Sequence, residues 1–131
     1  MTNPQPVPSP AGALLGRTVL EAHDGRARVR YEAREDFLNR RGVIQGGFLA
    51  AMLDSAMGIA AATTVGDGVQ PVTVEIKVSF LRPAAAGRLV AEARVVQTGR
   101  SLAFTEATLS TEQGEPVATA TATASLRRPK R

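Results

Sequence analysis

The 131 residues are the length of one ordinary domain, and 44% of them are apolar, which predicts a packed core and excludes a disordered chain. The absence of cysteine excludes disulfides, thiolate zinc sites and cysteine nucleophiles, and the single histidine, His23, excludes a histidine metal cluster. The net charge of +4 would suit a phosphorylated small ligand or a nucleic acid, but basic residues are not interleaved with aromatics and no one element carries a basic motif, so no nucleic-acid partner is expected.

The chain opens with "MTNPQPVPSPAGALLG", which has no charged start followed by an apolar run and so does not read as a signal peptide; its prolines predict a loose lead-in over residues 1–14. No segment reaches the ~18 apolar residues of a membrane span, and a cytoplasmic protein without membrane contact is expected. A short strand is predicted near residues 17–22, turned by Asp24-Gly25, with His23 exposed in "EAHDG" and unsuited to a catalytic triad. "RARVRYEA" (residues 26–33) alternates strictly and reads as a half-buried strand. "REDFLNRRGVIQGG" has no period and reads as a loop into a helix over residues 46–63, where Ala, Leu and Met favour helix until Gly66 and Gly68 end it.

Alternation returns in "VTVEIKVSF", with Val72, Val74, Ile76, Val78 and Phe80 on one face and Thr73, Glu75, Lys77 and Ser79 on the other. "RLVAEARVV", "SLAFTEATLST" and "PVATATATASL" are three more strands, and residues 127–131 form a basic tail. Nothing divides the chain, so residues 1–131 read as a single domain. Strands joined by turn-length links imply an antiparallel sheet, and a helix apolar nearly all round should be enclosed by it. The expected class is α+β: a hotdog fold, one curved antiparallel sheet wrapped around a long central helix.

One charge interrupts that helix. "QGGFLAAMLDSAMGIAAA" carries Asp54 among apolar and small residues, and an unpaired buried charge costs several kcal/mol. At the start of the helix, Gly46 and Gly47 leave unpaired N–H groups bare, and such a terminus can hold an anionic oxygen. Asp54 lies roughly 12 Å further along the axis at ~1.5 Å per residue. Both groups cannot therefore meet one substrate carbon within a chain, since acyl chemistry needs each within ~3 Å of it. Either the aspartate is unrelated to the glycines, or two antiparallel helices across a two-fold axis bring Gly46 of one chain to Asp54 of another.

"NRRGVIQGGFLAAMLDSAMG" (residues 39–58), with "VTVEIKVSFLRPA" and "GRSLAFTEATL", resembles the Asn-x-x-Gly-x-x-His-Gly-Gly…Asp…Gly signature of the phenylacetate-degradation (PaaI-type) hotdog thioesterases, a group that includes acyl-CoA thioesterase 13. The likeness spans roughly residues 26–126. It implies hydrolysis of an acyl-CoA, with coenzyme A part of the substrate and no cofactor or metal. By position Asp54 resembles the family's base or nucleophile, Gly46 the N–H donor to the thioester carbonyl, Asn39 the side chain near that carbonyl or the attacking water, and Thr73 the hydroxyl beside the carboxylate of its own chain. The resemblance implies that Asn39 and Gly46 of one subunit work with Asp54 and Thr73 of another, in a homo-oligomer that is at least a dimer and usually a tetramer. Gln45 and Gly47 fall at the substrate, and Gly99, Arg100 and Ser101 in "TGRS" where relatives approach the nucleotide end. Arg82, Arg88, Arg127 and Arg128 are weaker cation candidates. Gln45 departs from the signature: relatives carry His there, and an amide cannot be protonated. The competing expectation is a hotdog module that binds acyl-CoA without hydrolysing it.

Overall fold

The computed structural model describes residues 9–127. The alternating stretches become strands: β1 (Thr18–His23), β2 (Arg26–Ala33), β3 (Gln70–Phe80), β4 (Gly87–Thr98), β5 (Leu102–Thr111) and β6 (Pro116–Arg127). All pair antiparallel in one sheet of order β1-β2-β4-β5-β6-β3. The sequence order of strands is thus broken once. After β3 the chain crosses three strand spacings, about 14 Å, to reach β4. Two helices complete the fold, α1 (Pro10–Leu14) and α2 (Gly46–Ala62). Contacts run from α2 to all six strands, which is the expected hotdog arrangement. No described helix is long and apolar enough to cross a membrane.

The inner face is built from alanine. Ala91, Ala93, Ala103, Ala107, Ala118, Ala120, Ala122 and Ala124 are all buried, and this low relief lets α2 settle onto the sheet. Met52, Leu53 and Met57 fill the remaining space at 2% exposure or less. Each such side chain contributes about 1.5–3 kcal/mol by leaving water. Tyr31 sits among them, fully buried, and its hydroxyl lacks a hydrogen-bond partner. Burial pushes its pKa up to about 12, opposed by nearby Ser55, whose hydroxyl stays outside hydrogen-bonding geometry with Tyr31, and by the positive charge of Arg17. Tyr31→Phe removes that unsatisfied oxygen, so urea unfolding of this variant is expected to give equal or higher stability, by up to about 1 kcal/mol. The sign with pH follows from the raised value. Below about pH 10 both folded and unfolded tyrosine are protonated. Above it the unfolded side chain ionises first, so wild-type stability falls towards pH 12 by up to about 1.4 kcal/mol per pH unit, and Tyr31→Phe is spared that component.

Four expectations are corrected. Residues 10–14 of the expected lead-in form α1, capped by Ser9, whose hydroxyl accepts from the Gly12 N–H at 2.9 Å, with Leu15 buried behind it; residues 1–8 lie outside the described part. Arg127, expected to open the basic tail, is the last residue of β6 and pairs with Gln70, while residues 128–131 lie outside the described part. The central helix is not enclosed all round. Gly47, Ala51 and Ala62 are exposed, and Ala50, Asp54, Ser55 and Gly58 are half-exposed. The alternation of β3 is interrupted at Val74, where Thr73 pairs with Ala124 and Glu75 with Thr123, leaving one residue over.

Candidate functional site

The bulge at Val74 decides where Thr73 points. An extra residue in one strand changes the parity of everything on its far side. Strict alternation would set Thr73 on the outer face with Glu75, Lys77 and Ser79. With Val74 bulged outward and 58% exposed, Thr73 turns to the helix face together with Ile76 and Val78. Its hydroxyl donates to Asp54 Oδ1 at 2.6 Å. One oxygen of the carboxylate is thereby engaged by Thr73. The carboxylate is half-exposed rather than buried, so the cost of a charge in an apolar helix is largely avoided.

Asn39 is held by its own loop. The side chain's Oδ1 accepts from the N–H of Arg41 at 2.9 Å and of Val43 at 3.4 Å, and Gly42, at φ +78°, closes the turn back onto the Asn39 carbonyl. With the amide oxygen occupied, the two N–H donors of the side chain are the atoms left for a substrate or water. The loop is fastened to α2 by stacked Phe37 and Phe48 rings, centroids 4.1 Å apart, and by a hydrogen bond from Gln45 N to the Phe37 carbonyl, and to the link between β3 and β4 by one from Ile44 N to the Ala84 carbonyl. Gln45 is exposed and is the N-cap residue of α2, yet its side chain makes no capping bond. The Asn39 turn is thus ordered without the side chain at position 45.

Gly46 and Gly47 open the helix, where an N–H has no acceptor inside the helix. A Cβ on Gly46 would lie 3.0 Å from Cζ of Phe80, so glycine here lets the Phe80 ring close over the first turn. Asn39, Gln45, Gly46 and Phe80 share a cavity of about 610 Å³ with Arg41 and Arg82. Asp54 and Thr73 are absent from its lining. The structure therefore brings the predicted residues together as two half-sites: Asn39, Gln45 and Gly46 in the cavity, and Asp54 with Thr73 two turns further along α2.

Gly99, Arg100 and Ser101 lie away from the Gly46 cavity but at the Thr73 end of the sheet, where Ala103 and Thr73 flank the same β6 residue, Ala124. They link β4 to β5 at the end of the sheet where Leu102 pairs with Ser125, whereas the Phe80 end pairs with Ala118. Seven residues of β6 separate the two, about 23 Å. Among the weaker candidates, Arg82 is ion-paired to Glu115 at 2.8 Å and Arg88 to Glu32 at 2.9 Å, both on the surface; Arg128 lies outside the described residues. His23 ends β1 and is exposed between Asp24 and Glu21, whose carboxylates raise its pKa. Arg41 and Phe80 were missed as lining residues. Arg41 occupies one of the unspecified positions of the Asn-x-x-Gly signature, and Phe80 read only as the last inward residue of a strand.

Known proteins share this fold. Residues 41–118 match the family model described as the thioesterase superfamily. The fold superposes on a phenylacetic acid degradation-related protein of Ralstonia eutropha JMP134 with a TM-score of 0.84, at 40% identity over 91% of this chain and 92% of that one. It superposes on a point mutant of the phenylacetic acid degradation protein PaaI of Thermus thermophilus with a TM-score of 0.81, at 34% identity over 92% of this chain and all of the other (100%). Human acyl-coenzyme A thioesterase 13 is 29% identical over 99 residues, 74% of this chain and 70% of that protein. Across the first curated relatives the chain spans 66% to 82% of their length.

Proposed function

The chain belongs to the thioesterase superfamily, with PaaI-type hotdog proteins among its relatives, and from that premise we propose that it hydrolyses acyl-CoA thioesters at a site shared by two copies. The observation that carries this reading is the split between the half-sites. Asp54 is oriented by Thr73, yet the free N–H of Gly46 in the same chain lies two helical turns away. A two-fold axis beside α2 removes the conflict. The open stripe of α2 bears Gly47, Ala50, Ala51 and Gly58, and a Cβ added at Gly47 or Gly58 would meet no atom within 4 Å, so a second helix can approach closely. β3 is an edge strand of 11 residues whose outer side has no strand partner among the described residues, a surface that proteins normally cover. Thr73 and Phe80 place that edge on the same side as the stripe.

In the resulting site the Gly46 N–H and the Asn39 amide N–H groups point at the thioester carbonyl, where negative charge grows during attack. Asp54 of the partner subunit, held by the Thr73 hydroxyl on one oxygen, uses the other to take a proton from water or to attack the carbonyl carbon itself. The thiolate leaves without strong acid assistance, so the absence of a protonatable group at Gln45 does not obstruct the step. The enzyme is a cytoplasmic single domain that needs no cofactor, coenzyme A being part of the substrate, and a tetramer would be a pair of such dimers.

A panel of aryl and aliphatic acyl-CoAs, assayed for free thiol, tests the reading. Thiol release from at least one of them, rising linearly with enzyme, is expected. Tight binding of an acyl-CoA with no thiol release across the panel would instead establish a binding module.

A further inference from the structure

We infer that Arg41 is a positioning residue that couples recognition of a phosphate on the leaving group to the orientation of Asn39; this rests on the thioesterase reading above. Two observations meet in this residue. Its backbone N–H donates to Asn39 Oδ1 at 2.9 Å and so fixes the amide that faces the carbonyl. Arg41 itself lines the same 610 Å³ cavity as Asn39 and Gly46. Among the described residues no carboxylate lies within ion-pair distance of Arg41 or its neighbour Arg40, whereas Arg34, Arg82, Arg88 and Arg94 each hold one. The lining also includes the apolar residues Phe80, Leu81 and Pro83, together with Arg82.

A cavity lined in part by apolar residues and in part by an arginine that no described carboxylate pairs suits a flexible, mostly neutral arm that ends in a phosphate ester. The guanidinium fork matches phosphate oxygens two at a time. The Asn39 turn is exposed at residues 40–42, and a Cβ added at Gly42 would meet nothing within 4 Å, so the turn is not braced from outside. A phosphate bound by the Arg41 side chain supplies that brace. The ordered turn then holds the Asn39 donors on the carbonyl, and binding energy from a remote part of the substrate is expressed at the reacting carbon. The phosphate belongs either to the nucleotide of coenzyme A or to the 4′-phosphopantetheine arm alone.

The test pairs Arg41→Ala and Arg41→Lys with three thioesters of one acyl group: acyl-CoA, acyl-4′-phosphopantetheine and acyl-pantetheine. Every variant keeps the backbone N–H bond to Asn39. Arg41→Ala is expected to lose about tenfold or more in kcat/KM on acyl-CoA, partly through kcat, and nothing on acyl-pantetheine, with Arg41→Lys recovering part of the loss. A matching loss on acyl-4′-phosphopantetheine places the phosphate at the end of the arm; a loss on acyl-CoA alone places it on the nucleotide. Equal losses on acyl-CoA and acyl-pantetheine, or no loss on acyl-CoA, overturn the coupling while leaving the hydrolase reading in place. Wild-type protein that releases thiol from none of the three overturns both.

Discussion

Asp54→Asn lowers turnover of an acyl-CoA at least ~100-fold and leaves the oligomer intact. The magnitude is that of a lost general base, and a lost nucleophile costs no less. The structure explains why the fold should survive. Thr73 donates its hydroxyl to Asp54 Oδ1, and an asparagine can present its carbonyl oxygen to the same donor. The side chain is half-exposed, so its remaining polar atoms are hydrated rather than stranded. Steady-state thiol release measures the first half of the prediction and light scattering after gel filtration the second. Turnover that survives the substitution would remove Asp54 from the chemistry.

Gly46→Pro is expected to cost about 10²–10³-fold in turnover, the effect of deleting one oxyanion donor. Proline deletes the N–H, and the first position of a helix is where it is best tolerated. Gln45, at φ −59° and ψ 133°, already has the backbone conformation that a following proline requires. The added ring crowds Phe80, so Gly46→Ala serves as the control: it brings a Cβ to the same 3.0 Å contact but keeps the donor. Loss in proline with much smaller loss in alanine assigns the effect to the N–H. The two inactive variants together then examine the shared site. Mixed Asp54→Asn and Gly46→Pro chains form hybrid dimers in which one of the two sites has both groups intact, and random exchange restores about a quarter of wild-type activity. A mixture that stays as inactive as its components would confine the chemistry to one chain.

Much of the fold was legible because its elements announce themselves by period. The strands from residues 26, 70 and 87 onward, the helix from Gly46 and the breaks at Gly66 and Gly99 follow from alternation and from glycine placement. The half-sites were legible as residue types at a spacing, and the separation of Gly46 from Asp54 follows from the rise of a helix alone. What was not legible depends on contacts far apart in sequence. The β3 bulge exists because β6 pairs with one residue fewer, so a face assignment made on β3 alone put Thr73 on the wrong side. The placement of β3 beside β6 rather than β4 cannot be read from link lengths, since the six residues between Phe80 and Gly87 are also enough for a hairpin. Helix α1 is a single turn, too short for periodicity to detect, and its one local signal is Ser9 ahead of Pro10.

The order of strands also sets a schedule. The first residue of β3 pairs with the last described residue of β6, Gln70 with Arg127, and among the described residues no other strand borders β3. β4, β5 and β6 are joined by tight turns and can zip together as hairpins as they form. β3 must wait, although it precedes them in the chain, because its described partner is β6, the last of the six strands. Thr73 and Phe80 ride on that strand, so the carboxylate's hydroxyl partner and the ring over Gly46 both arrive last. During synthesis the helix and β1, β2, β4 and β5 precede β6, and the chemistry stays unassembled until β6 emerges and gives β3 a place to lie.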